Sequence, residues 1–126
     1  MKRRAKGGIL ALALLFLAAA GGEGVRMTAL DAAEEVERAA EFLAGGDRER
    51  AEAVFTGAKE SFEAALGFLE SMVDHADLKR VREKFAAVGS RFADGGEDRI
   101  LWELASLREI LRGIAESDLP VPGNLF

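Results

Sequence analysis

Residues 51–72 read AEAVFTGAKESFEAALGFLESM. Ala51, Phe55, Ala58, Phe62, Ala65, Leu69 and Met72 recur at alternating steps of four and three. That is the apolar seam of a helix packed in a bundle or coiled coil. Val54, Leu66, Phe68 and Val73 widen the seam, which suits a globular bundle better than a two-stranded zipper. Asp47 stands where an N-cap belongs, and the spacing predicts one unbroken helix from there to about Asp74, roughly 42 Å long at 1.5 Å per residue. Gly57 and Gly67 lie inside it; each costs about 1 kcal/mol relative to alanine, and each is either a close-approach point or a loose spot.

Three further helices are predicted around this one. Upstream, Ala29–Ala44 carries Ala29, Ala33, Val36, Ala40 and Leu43 on one face. Thr28 and Asp31 have capping-box spacing at its start, and Gly45-Gly46 ends it. Downstream, Asp77 is the expected cap of a helix with Leu78, Val81, Phe85, Val88 and Phe92 inward, ending at Asp94-Gly95-Gly96. A last helix, Glu97–Glu116, points Ile100, Leu104, Leu107, Leu111 and Ile114 inward, with Leu101, Trp102 and Ala105 flanking the stripe. Pro120 and Pro122 lack the amide donor a helix needs, so the tail is expected to be extended. The fold class is therefore all-α: an antiparallel bundle of about four helices joined by short corners. Pairs Glu34–Arg38, Lys59–Glu63, Arg99–Glu103 and Arg112–Glu116 are four apart and predict local ion pairs.

The N-terminus carries an address. Lys2, Arg3, Arg4 and Lys6 precede twelve apolar residues, Ile9 to Ala20, and then Gly21-Gly22. A basic start, a short apolar run and small residues at its end are the parts of a secretory signal. The run is short for a membrane span, which needs about 17–25 residues. Residues 1–20 are thus expected to be a cleaved signal peptide, or else an uncleaved signal anchor. Residues 21–27 would be a linker, and 28–126 the helical bundle domain with its tail. Either way the domain is expected to be extracytoplasmic, secreted or held at the cytoplasmic membrane, with membrane contact only through an uncleaved N-terminus.

Charge and composition narrow the chemistry. Without its four N-terminal bases the chain has 13 basic against 22 acidic residues, a net charge of −9. Such a surface repels phosphate backbones and anionic lipid, so no nucleic-acid partner is expected. There is no cysteine, so neither disulfide nor thiolate metal site exists. A di-metal bundle centre needs Glu-x-x-His on paired helices; His75 is the only histidine, and Met72 occupies the Glu position. Asp74, His75 and Asp77 make at most a weak surface metal cluster, and helix capping accounts for them as well. Ser61, Ser71, Ser90, Ser106 and Ser117 include none in a nucleophile-elbow setting. The expectation is a non-catalytic chain with no cofactor and no metal. Trp102 is either a binding anchor or partly buried core, and the pattern favours core.

The run 101–126, LWELASLREILRGIAESDLPVPGNLF, resembles the C-terminal end of the bacterial domain of unknown function 4363 family. Its ending, Asn124-Leu125-Phe126, and the His75-Ala76-Asp77-Leu78 stretch before a helix carry the resemblance. The alanine- and glycine-rich segment at 18–24 departs from it and favours cleavage over an anchor. The resemblance implies a small signal-bearing helical protein and names no activity. It leaves His75, Asn124 and Phe126 with structural roles: Phe126 closing the end of the bundle, Asn124 capping exposed carbonyls. Two functional readings follow. One is a binding or accessory module of the cell envelope with a protein partner, such as an integral membrane protein. The other is a small-ligand or metal-binding protein with a pocket between helices near Trp102 or His75. Self-association through the 51–72 seam is a further possibility.

Overall fold

The structure is a computed structural model and describes residues 23–117. The expected signal segment 1–20, and Asn124 and Phe126, lie outside the described residues. Among the described residues five helices form an all-α bundle: α1 Glu23–Ala44, α2 Arg48–Ala64, α3 Leu66–Met72, α4 His75–Asp94 and α5 Glu97–Glu116. Among the described residues no strand occurs, and no helix is long and apolar enough to cross a membrane.

Helix α1 begins six residues before the expected Ala29, so Glu23–Met27 of the expected linker are helical. Thr28 is not a cap. It is buried, and its hydroxyl donates to the Gly24 carbonyl at 2.7 Å, a bond made within a helix. Burial of Val25 continues the apolar face upstream. The other end follows expectation. Gly46 takes φ of 90°, while Gly46 N–H donates to Leu43 O at 3.0 Å and Asp47 N–H to Phe42 O at 2.9 Å. These two bonds form a Schellman cap, which needs the left-handed residue that glycine supplies. Asp47 then accepts from Arg50 N–H at 3.1 Å and starts α2.

The long helix expected over 47–74 is interrupted. Ala65 has φ −90° and ψ 1°, and its N–H is shared between Ser61 and Phe62 carbonyls at 3.3 and 3.1 Å. The apolar phase survives the break, since Ala65 and Leu69 are both buried. Hydrophobic spacing reports which face is inward and is blind to a single tightened turn; Gly67, two residues on, weakens the ladder there. Asp74, not Asp77, caps α4, accepting from Ala76 N–H at 2.9 Å.

Side-chain size sets the spacing of the bundle. The face of α1 is mostly alanine, with Ala29, Ala32, Ala33 and Ala39 buried, and α1 packs closely against both α2 and α5. Helix α5 also packs on α4, whereas α2 and α4 are kept apart by phenylalanines. Phe55 lies 5.7 Å from Phe85 and 5.5 Å from Phe92, and Phe62 lies 5.4 Å from Phe85, all tilted. These are favourable aromatic geometries. The α2–α4 side is consequently the open side of the bundle. Elsewhere on α2, a Cβ added to Gly57 would meet nothing within 4 Å. Packing within the chain does not require that glycine, although it costs about 1 kcal/mol of helix propensity.

At one end, Arg48 ties α2 to α4. Its guanidinium donates to the carbonyls of Phe92 at 2.7 Å, Gly95 at 3.1 Å and Arg91 at 3.4 Å. A cation there satisfies the last carbonyls of α4 and favours its negative dipole end. Gly95 is obligatory at that corner, because a Cβ would lie 2.7 Å from the Arg91 carbonyl oxygen.

None of the four expected i,i+4 ion pairs is formed among the described residues. Arg38 pairs with Glu35 at 2.7 Å. Glu37 instead draws Arg108 at 3.0 Å and Arg112 at 4.0 Å from α5, and Glu103 reaches across to α4. Residues flanking a buried stripe face the neighbouring helix, so the partner across the groove wins over the one along the helix.

Two tests follow from this packing. Phe85→Ala removes the ring shared by Phe55 and Phe62 and should lower unfolding free energy by about 3–5 kcal/mol in urea titration. The second concerns Asp31, whose carboxyl is raised above its ordinary 3.8 by partial burial and then by Glu34 and Glu35. The folded state holds this proton more tightly than the unfolded chain, so a penalty grows as pH rises through 3.8 and is complete above the raised folded value. Asp31→Asn should therefore raise the melting temperature at neutral pH, and the gain should vanish as pH falls below 3.8.

Candidate protein-docking face

The α4–α5 groove gathers the chemistry of the surface. Glu103 sits three residues after Ile100 and one before Leu104, on the inward stripe of α5, and is 6% exposed. A buried carboxylate needs cations and hydrogen bonds. Lys84 of α4 supplies both: its Nζ donates to Glu103 Oε1 at 2.9 Å, while Arg91 Nε lies 4.0 Å from Oε2. The same Lys84 Nζ stands 5.8 Å from the centre of the Trp102 ring, a cation–π distance.

Trp102 is 66% exposed. This corrects the expectation that it belongs to the core. On α5 it lies two residues after Ile100 and two before Leu104, and a rotation of about 200° over two residues turns it outward. Ser106 and Ile110 follow Trp102 at steps of four. With Arg80, Glu83, Lys84 and Ala87 of α4 they line an open recess of about 430 Å³. The face therefore offers a large aromatic surface, held from one side by a lysine whose own position is fixed by a buried acid, beside a recess of mixed polarity.

The other sequence candidates are not brought to it. His75 is the first residue of α4, exposed, nine residues from Lys84 or about 14 Å along the helix. Asp74 is occupied as the cap, and Asp77 lies 3.9 Å from Arg80. Among the described residues no three or more His, Cys, Asp or Glu side chains are grouped to hold a metal ion. Ser71 and Ser117 donate to the carbonyls of Phe68 and Ile114 in their own helical turns.

Lys84 and Glu103 were not singled out from the sequence as a pair. The signal for Glu103 was present: it falls on the 3.6-residue stripe, where an acid demands a partner. The identity of Lys84 as that partner depends on the helix packing. No family model, curated protein or solved structure matches the chain.

The chain has a single tryptophan, which makes the face directly observable. Its emission should already be near that of solvent-exposed indole in the folded state and shift little on unfolding; a large red shift would return Trp102 to the core. Glu103→Gln should cost about 1–3 kcal/mol by stranding Lys84, and should change Trp102 emission by freeing the cation above the ring.

Proposed function

We propose that this chain is a non-catalytic docking module of the cell envelope, which engages a protein partner through the α4–α5 face. One observation carries the reading: Trp102, the largest side chain type in the sequence, is 66% exposed on a helix whose other large apolar residues are buried or half-buried. Leaving an indole in water has a cost of burial forgone, and tryptophan is enriched among residues that anchor protein interfaces. Lys84 fixes the cation beside the ring, so less side-chain entropy is lost on docking.

The placement in the envelope is supported by residues 1–20, with their basic start and short apolar run. The resemblance of residues 101–126 to the domain of unknown function 4363 family supports the same organisation. An integral membrane protein is the partner class this placement favours. The overall acidity of the chain argues against anionic lipid as the docked surface.

Site-specific crosslinking tests the reading. A photoreactive amino acid placed at 102 in the full chain should give discrete adducts with one envelope protein in the native host. The same group at Glu34, on the exposed side of α1, should not. Equal crosslinking at both positions, or none at 102, would refute the docking role. Trp102→Ala should leave the helical content unchanged, because the side chain contributes little to the core.

A further inference from the structure

The expected cleavage bond, Ala20–Gly21, lies close to a folded element. Only Gly21 and Gly22 separate it from Glu23, the first residue of α1. The first turn of α1 is firmly held. Val25 is wholly buried and Gly24 beside it is buried too. The Thr28 hydroxyl donates to the Gly24 carbonyl at 2.7 Å in the interior. Glu23 stands at the positive end of the helix dipole, with Arg26 3.9 Å away. None of these residues belongs to the α4–α5 docking face.

A peptidase grips several residues on each side of the bond it cuts, in extended form. A bond beside a folded element is therefore cut from the transiently opened state, at a rate set by the population of that state. Here the residues just beyond the bond are helical from Glu23 onward. Extending them unwinds the first turn of α1, brings Val25 into water and breaks the Thr28–Gly24 bond. What opposes that unwinding is the rest of the bundle, because most helical stability in proteins comes from packing of the apolar face. The buried face of α1 packs on α2 and on α5, the last helix in the chain order. The start of α1 is thus secured only once Glu97–Glu116 has joined the bundle. Until then the chain beyond the bond can be drawn out straight.

We propose that closure of the bundle shields the Ala20–Gly21 bond from signal peptidase, so that removal of the signal and folding of α1 compete. In the cut, water adds across the amide and leaves a carboxylate on Ala20 and an amine on Gly21. A chain cut before α5 docks is released; a chain whose α1 is locked first keeps its N-terminus and stays tethered. One sequence then supplies both a free and a membrane-held form, in a ratio set by folding. The proposal rests on the reading of residues 1–20 as a secretory signal and is independent of the α4–α5 docking role.

The test is the rate at which purified signal peptidase of the native host cuts the full chain, folded in mild detergent, with the product identified by mass as starting at Gly21. Two changes should open the bond without unfolding the bundle. The first inserts about six Gly and Ser residues between Gly22 and Glu23, which moves α1 away from the bond and leaves its flanking residues as they are. The second, Val25→Gly, removes the buried side chain that holds the first turn. Wild type should be cut about tenfold or more slowly than the insertion variant, and Val25→Gly should be cut faster than wild type, with the helical content of both variants retained. A third chain controls for sequence effects at the bond. Leu107 is wholly buried, so Leu107→Asp places a charge in the core and unfolds the bundle. In that background the chain should be cut fast, and the insertion should add nothing. Equal rates for wild type and the insertion variant, or an insertion that still accelerates cutting in the Leu107→Asp background, would overturn the proposal and leave the signal reading intact. A chain cut in no background, unfolded or folded, would remove the signal reading and the proposal with it.

Discussion

Phe55, Phe62, Phe85 and Phe92 set the distance between α2 and α4, and the shape of the bundle follows from that distance. Their rings meet at 5.4–5.7 Å between centres. The opposite requirement holds around α1, where buried alanines admit α2 and α5 closely. A bundle with one small-residue rod and one aromatic-filled side cannot be symmetric. It is tight around α1 and open between α2 and α4. Arg48 then secures the open side at one end by bonding three carbonyls near the C-terminus of α4. The aromatic spacing and the arginine act together: the first keeps the helices apart, and the second fixes where they end relative to each other.

The more buried ion pairs run between helices, and the exposed ones, such as Arg38–Glu35, run along them. Glu37 gathers Arg108 and Arg112 across the α1–α5 contact, and Glu103 gathers Lys84 and Arg91 across the α4–α5 contact. Exposed pairs of this kind contribute little, about 0–1 kcal/mol. The Glu103 pair differs because its carboxylate is buried. Breaking such a pair costs more than its formation gains, since one charge is left without water or partner. Its main consequence is positional: Lys84 is fixed at the edge of the groove, over the face of Trp102, while the indole remains in solvent.

Much of this was legible in the sequence, for a physical reason. Burial selects apolar residues at a fixed angular interval, so Val81, Phe85, Val88 and Phe92, or Leu104, Leu107 and Leu111, announce their face wherever the helix sits. Glycine pairs at 45–46 and 95–96 announce corners: Gly46 takes the left-handed conformation, and Gly95 passes too close to the Arg91 carbonyl for a Cβ. What periodicity does not carry is the local hydrogen-bond pattern. Thr28 is acceptable as a cap or as an interior residue bonded to Gly24, and only the helix extending upstream decides between them. The same limit hid the break at Ala65, where the buried face stays in phase. Asp74 and Asp77 are both good caps, and the choice depends on which residue the extended Val73 leads into. For Trp102 hydrophobicity and angle point to different places, and angle decides: a residue midway between Ile100 and Leu104 on a helix points away from both.

Helix α4 joins these arguments, because it borders both grooves of the bundle. On one flank Lys84 is committed to Glu103 and the Trp102 ring; on the other, Gly89 lies opposite Phe55, with space for only a small residue before the ring is reached. Three of its exposed residues are basic, Lys79, Arg80 and Arg82, on a chain that is acidic overall. A helix packed on two sides yet bordering an open recess on each gives the molecule two separate surfaces without a second domain.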